Sequence, residues 1–231
     1  MVAAEASAAG SAAAAGDGSP NSPLSAGPDE VFGPGRVEGC VFCDPGSTPG
    51  ALAENEHVRL IPDLFPVVPG HVLVVSRQHL SCYGAAPGEV REALEELSQA
   101  AAAFVRAEYG VEPVLWENGG AGQTVFHAHL HLMPVALHAI EEVIESEHMR
   151  EVTGWDDVAR LFEAHGAYHY LQFQEHRRLI EGNGEMNWEF RRRVAIAAGM
   201  RFEGGRLVRP TTHEDVEEVE VRWREYSRSR T

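Results

Sequence analysis

An α+β fold built on an antiparallel sheet is what this sequence predicts, and three observations carry the prediction. Two apolar runs, Val58-Arg59-Leu60-Ile61 and His71-Val72-Leu73-Val74-Val75, flank a turn punctuated by Pro62, Pro66, Pro69 and Gly70, as a strand pair would. One long segment, residues 88–109, repeats apolar side chains at helical spacing. A second pair of strand-like runs, residues 111–117 and 125–133, brackets the Gly-rich loop Asn118-Gly119-Gly120-Ala121-Gly122.

Each element has its own justification. Residues 1–36 are rich in Ala, Gly, Ser and Pro and cannot bury enough apolar surface to offset ordering, so a disordered tail is expected there. The first globular unit then spans 37–149. Its helix carries Val90, Ala93, Leu94, Leu97, Ala101, Phe104 and Val105 on one face, with its acids in the first half, where a helix dipole favours them. Residues 150–231 change pattern: a short helix over 156–165, a strand over 168–173, a helix over 187–198 opening on Asn187 and ending at Gly199, and an acidic helix over 213–227. This C-terminal α/β extension is expected to pack on the first unit.

Composition excludes several classes of function. The 231 residues hold 19 Arg and no Lys, against 35 acids, for a net charge of −16. With no Lys there is no Walker-type phosphate loop, Schiff base or Lys general base. So acidic a chain is repelled by nucleic acid. No apolar stretch approaches the roughly 18 residues that span a membrane, and the first 35 residues lack the basic and bulky apolar residues of a signal or transit peptide. Three Cys do not make a secreted disulfide framework, so a cytoplasmic protein is expected.

Cations are unevenly placed: residues 150–231 hold 14 of the 19 Arg. Arg177-Arg178 and Arg191-Arg192-Arg193 therefore have two readings. One is an Arg that reaches a bound phosphate, with Arg191 or Arg192 the nearest candidates; the other is a solvated helix face paired with Glu185, Glu189 and the acidic first unit. Tyr168, Tyr170, Phe173 and Trp188 read as core rather than as stacking platforms.

The most informative stretch is Gly122-Gln123-Thr124-Val125-Phe126-His127-Ala128-His129-Leu130-His131-Leu132-Met133. On a strand, alternate residues share a face, so His127, His129 and His131 are expected to point one way and Phe126, Ala128, Leu130 and Leu132 into a core. Such a face is a solvated polar one, a three-His metal site, or a phosphate site with one His as nucleophile. The adjoining Gly-rich loop offers backbone N–H groups to phosphate oxygens, and Gln123 and Thr124 add an amide and a hydroxyl.

Ala121-Gly122-Gln123-Thr124-Val125 followed by the three His resembles the histidine triad (HIT) superfamily of nucleotide hydrolases and transferases, nearest the fragile-histidine-triad branch and the bacterial zinc-containing HIT proteins. Residues 62–75, Pro-Asp-Leu-Phe-Pro-Val-Val-Pro-Gly-His-Val-Leu-Val-Val, are similar to that family's first sheet segment, and the resemblance covers about 38–138. It implies a HIT-like fold and a nucleotide or nucleotide-conjugate substrate. His129 would attack the α-phosphate to form a nucleotidyl-histidine, with His131 and His127 beside it. Gln123 and Thr124 would hold the phosphate or leaving group, and Asn118 and Gly122 would contact the phosphate. Asp63 would bind the ribose hydroxyls, the lesser alternative being that it only supports the Pro-rich turn, and Leu64 would flank the base. His at position 131, where related galactose-pathway nucleotidylyltransferases carry Gln, favours hydrolysis of a phosphoanhydride or phosphoramidate. A transferase or phosphorylase, or a non-catalytic nucleotide sensor, is the alternative. Family members often dimerise through the long helix and an edge strand, and a homodimer is expected unless the extension blocks or replaces that contact.

Cys40-Val41-Phe42-Cys43 has metal-ligand spacing but supplies only two ligands. The resemblance supplies the others: His79 after the second strand and His127, around one structural Zn2+. His57 and His71 are spare candidates, and His127 could serve the metal, the chemistry or both. Cys82 reads as a free thiol with no role.

Overall fold

A computed structural model describes residues 36–44, 46–120, 122–135, 149–181, 195–196, 200–203, 206–208 and 213–230. Residues 1–35 of the expected tail and most of the expected helix over 187–198, with Trp188, Arg191 and Arg192, lie outside these residues; of that helix only Ala195 and Ile196 are described, and both are helical. Eight strands form one sheet in the order β1-β2-β3-β5-β4-β7-β8-β6, and every pairing is antiparallel. The strands are β1 Ala53–Glu54, β2 Val58–Pro62, β3 Val72–Ser76, β4 Val114–Gly119, β5 His129–Met133, β6 Arg150–Glu151, β7 Tyr168–Phe173 and β8 His176–Glu181. A separate hairpin joins β9 Arg201–Glu203 to β10 Arg206–Val208. The α+β class with an antiparallel sheet is as the sequence predicts.

One face of the sheet is covered by helices. Helix α1 spans Gly88–Tyr109, as its apolar spacing requires, and buries Val90, Leu94, Leu97, Ala101, Phe104 and Val105. It stops at Gly110, whose φ of 67° only Gly adopts cheaply. Against it pack Leu60, Val74, Leu115, Leu130 and Leu132, all buried. Each such side chain contributes roughly 1.5–3 kcal/mol when fully withdrawn from water. Helix α2, Trp155–His165, packs on a 3-10 turn at Tyr83–Ala85 and on β7. Helix α3, His213–Arg228, sets Trp223 and Tyr226 against Phe104 of α1. Among the described residues no helix is long and apolar enough to cross a membrane.

Three expectations need correction. The strand expected over 125–133 begins only at His129. The ladder ends there because Ser76 N–H still donates to Ala128 O, in register with the β3–β5 pairing, but Ala128 N–H donates to Leu80 O instead of returning the bond to Ser76 O. His127 therefore does not sit on a regular strand face with the other two His. The strand expected over 111–117 runs Val114–Gly119, so Asn118 and Gly119 belong to the sheet, not to the loop. Strand β8, with the polar sequence His-Arg-Arg-Leu-Ile-Glu, carries no apolar alternation and was not expected.

The extension continues the sheet. Strand β7 pairs with β4 along its whole length, from Val114↔Phe173 to Gly119↔Tyr168. The β4 edge and part of α1 are thus covered by the chain's own C-terminal segment.

Candidate active site and metal centre

The site lies on the sheet face away from α1. Register places His129 opposite Val75, and His131 between Leu73 and Trp116. Strand β5 lies between β3 and β4, so both imidazoles stand on an interior strand of the sheet. Both are buried, His129 at 7% exposure and His131 at 5%. They open into a cavity of about 660 Å3 shared with Asp63, Leu64, Asn118 and Thr124. Phe65 stands at its mouth, 64% exposed. Gln123 does not line this cavity. Its Nε2 donates to Ser81 O at 2.7 Å.

Hydrogen bonds fix the protonation pattern of the two rings. His129 Nδ1 is 2.6 Å from His127 O. A carbonyl only accepts, so Nδ1 carries the hydrogen and Nε2 is the basic nitrogen. Val67 N–H donates to His71 Nδ1 at 3.1 Å, which leaves the hydrogen of His71 on Nε2. That Nε2–H faces His131 Nδ1 at 3.0 Å, so His131 carries its own hydrogen on Nε2. Asp63 completes the group: Oδ1 accepts from Phe65 N–H at 2.8 Å, and Oδ2 lies 3.3 Å from His71 Nδ1 and 4.0 Å from His131 Nδ1. Asp63 thus braces the Pro-rich turn and faces the rings at once. Sequence reasoning gave His71 only as a spare metal ligand. Its contact is cross-sheet and 60 residues away, so no spacing announces it.

The second cluster adjoins the first. Cys40 Sγ lies 3.4 Å from His127 Nδ1, and Cys43 Sγ lies 3.4 Å from His79 Nδ1 and 3.6 Å from His127 Nδ1. Ligands at the usual Zn–S and Zn–N distances and tetrahedral angles would stand about 3.5 Å apart, so the four residues fit such an ion. His127 Nε2–H donates to Ser76 O at 2.7 Å, turning the lone pair of Nδ1 toward the cysteines. Burial holds His127 far down, to about 3, and lowers His79, so both imidazoles are neutral, as metal ligation would require. Burial raises the Cys40 thiol, a cost that a bound cation reverses. Asp63, His71 and His131 form the other group close enough for a metal among the described residues. Both their Nδ1 lone pairs already accept hydrogen bonds. The two clusters are joined by Phe42, whose ring lies 5.6 Å from that of His127 and 5.2 Å from that of His129.

A family model described as the HIT domain matches residues 48–138. A HIT-like protein of Mycoplasma genitalium is 36% identical over 101 residues, 41% of this chain and 72% of its own length. The chain belongs to the HIT family. The Bacillus subtilis protein called hit is 34% identical over 106 residues, 42% of this chain and 72% of its own. Among solved structures, a zinc-bound histidine triad family protein of Mycobacterium smegmatis is 30% identical, covering 42% of this chain and 74% of its own, with a TM-score of 0.35.

Outside the HIT match, the extension supplies neighbours that sequence reasoning missed. Gly119 and Gly120, read as a phosphate-approach loop, are also required by packing. A Cβ on Gly119 would lie 2.1 Å from the Tyr168 ring, and one on Gly120 2.3 Å from Gly166 O. Tyr168, Tyr170 and Phe173 are buried, as their core reading expected. Arg177 pairs with Glu95 of α1 on the helix-covered face, away from the His rings. A larger cleft of about 740 Å3 lies on that face, but it holds the Arg106–Glu112 and Arg177–Glu95 pairs and none of the His residues.

Proposed function

We propose that this HIT protein hydrolyses a nucleotide phosphoanhydride or phosphoramidate through a nucleotidyl-histidine intermediate on His129, releasing a nucleoside monophosphate. The observation that carries the reading is the bond from His129 Nδ1–H to His127 O, which leaves Nε2 basic beside a cavity bordered by donors. In the first step the Nε2 lone pair attacks the α-phosphorus, the N–P bond forms and the bond to the leaving group breaks. His131 Nε2–H, fixed by the His71 relay, donates to a non-bridging phosphate oxygen as charge accumulates there. Asn118 and Thr124, which line the cavity, are assigned to the phosphate, Asp63 to the ribose hydroxyls and Leu64 to the base; Gly122 and Gln123, which do not line it, are assigned to a leaving group that extends past it. In the second step water attacks phosphorus, the N–P bond breaks, His129 leaves as neutral imidazole, and the proton lost by the water passes to the leaving group or to solvent.

Cys40, Cys43, His79 and His127 would hold one Zn2+, which supplies structural cross-linking of the N-terminal segment to the approach of β5. Both nitrogens of His127 are then engaged, one by the metal and one by Ser76 O, so His127 acts on the chemistry only through its carbonyl. We assign the protein to the cytoplasm; a homodimer would have to use surfaces other than the β4 edge.

The test is mass-resolved product analysis of wild type and His129→Ala with diadenosine tetraphosphate, adenosine phosphoramidate and nucleotide sugars. Monophosphate from the wild type alone supports the reading. A product carrying added phosphate or metabolite in place of water would make the protein a transferase or phosphorylase. Tight nucleotide binding with no turnover in either protein would make it a sensor.

A further inference from the structure

Strand β7 brings a histidine from outside the HIT match onto the active face. Asn118 of β4 and His169 of β7 are register partners, so their side chains share that face. Asn118 Oδ1 lies 2.8 Å from Trp116 Nε1 and 2.9 Å from His169 Nδ1. An indole nitrogen only donates, so the amide atom that it meets must be the oxygen. The same oxygen obliges His169 to carry its hydrogen on Nδ1. Both lone pairs of Oδ1 are then used, and Nδ2, with two hydrogens, is the branch of the amide left for the cavity that Asn118 shares with Thr124, His129 and His131.

His169 has a further property that simple core packing would not select. It is 4% exposed, and its Nε2 is buried with no hydrogen-bond partner among the described residues. An unpartnered buried acceptor is destabilising by about 1–3 kcal/mol, which a Leu at that position would avoid. Burial also lowers its pKa to about 4, so the ring stays neutral and keeps the Nδ1–H tautomer. The imidazole does not line the cavity. What it does in this structure is hold the carboxamide of a residue that does.

We propose that His169 is a positioning residue of the active site: its Nδ1–H, together with Trp116 Nε1–H, locks Asn118 with the amide nitrogen turned to the reacting phosphate, so that residues 150–231 complete a site whose other parts come from the HIT domain. This rests on the hydrolase reading above. A fixed donor needs no reorganisation when charge develops on phosphate, whereas an amide free to flip presents its oxygen part of the time and repels that charge.

The experiment compares wild type, His169→Leu, His169→Asn, Asn118→Ala and the double variant Asn118→Ala/His169→Leu, with monophosphate release measured on the substrate that the wild type turns over. Leu keeps an apolar filling beside Ile180 but removes the donor. Asn places an amide N–H where Nδ1–H stood. The expected result is a kcat loss of about tenfold in His169→Leu, with KM moved less than about twofold, and recovery to within about threefold in His169→Asn. In the Asn118→Ala background, His169→Leu should cost nothing further. An unchanged kcat in His169→Leu overturns the proposal, and so does the same loss with Asn118 already removed. Should the wild type release no monophosphate at all, the hydrolase reading fails separately. The side-chain amide resonances of Asn118 then decide the positioning claim. They should be alike in wild type and His169→Asn and displaced in His169→Leu; resonances unmoved in His169→Leu overturn it.

Discussion

The two flanks of the catalytic strand hold the site by different chemistry. On the β3 side, Cys40, Cys43, His79 and His127 converge within ligand distance of one another, and the carbonyl of His127 sets the tautomer of His129. On the β4 side, Trp116 and His169 hold Asn118 through neutral hydrogen bonds. Beneath them Glu117 accepts from Tyr83 N–H and from the Tyr168 hydroxyl, tying the extension to β4. A metal centre concentrates its stabilisation in four residues, and losing one loses nearly all of it. A hydrogen-bonded seam spreads its contribution over many weak links, so single changes there are felt as slopes and small shifts. The difference teaches where this chain tolerates change.

The largest effect should come from the metal flank. Cys43→Ser is expected to be purified with less than about a tenth of an equivalent of zinc and to melt at least about 10 °C below wild type, because a structural zinc site carries many kcal/mol of folding free energy. Zinc analysis and calorimetry check both, and a strong chelator should bring the wild type to the same melting temperature.

Next comes the close approach on the other flank. Gly119→Ala would drive a methyl into the Tyr168 ring, which the Glu117 and Gly84 hydrogen bonds prevent from swinging away. A destabilisation of about 3 kcal/mol is expected, at the upper end of overpacking, read by denaturant titration. A neutral result would show the seam to be looser than the metal flank in kind as well as in degree.

Glu117 gives a slope rather than a step. Burial pushes its carboxyl up to about 8, against the two donors that oppose the rise. The folded state therefore keeps a proton that the unfolded chain releases near pH 4.5, and stability falls as pH rises from about 4.5 to 8. Glu117→Gln should flatten that part of the stability curve, measured as melting temperature against pH.

The smallest effect is on the acid side. His169, held neutral by burial with a pKa of about 4, contributes stability that is present above its ordinary value of 6.5 and is lost as pH falls toward 4. His169→Asn should remove only that part of the acid sensitivity, and an unchanged acid limb would mean that the ring is protonated where it stands.

The four residues of the metal flank were named from the sequence, two by Cys-x-x-Cys spacing and two by resemblance, whereas most of the seam was not legible. Cys-x-x-Cys is a local pattern with narrow chemistry; His79 and His127 lie 36 and 84 residues from Cys43 and no spacing joins them to it. Helix α1 was readable to the residue from its apolar stripe and the acids of its first half, and the structure adds the Gly110 stop. The seam depends on contacts between strands about 50 positions apart, such as the register pair Asn118 and His169 and the diagonal hydrogen bond of Tyr168 to Glu117. A single sequence gives no sign of which strands pair. Strand β8 was hidden for a related reason, since it pairs with β7 and β6 yet, among its described side chains, buries only the adjacent Leu179 and Ile180, which leaves no alternation to read. The strand alternation at His127 misled because a hydrogen bond from Ala128 to Leu80 O, not periodicity, decides the backbone there.

The central claim is that Nε2 of His129 takes the nucleotide. The most direct measurement is to quench turnover within milliseconds at a pH where phosphoramidates survive, digest, and weigh the peptide carrying His127, His129 and His131. A nucleoside monophosphate added at His129, formed and discharged at rates compatible with turnover and missing from His129→Ala, is what the account predicts. Turnover at full rate with no adduct, or an adduct on His131 instead, would contradict it.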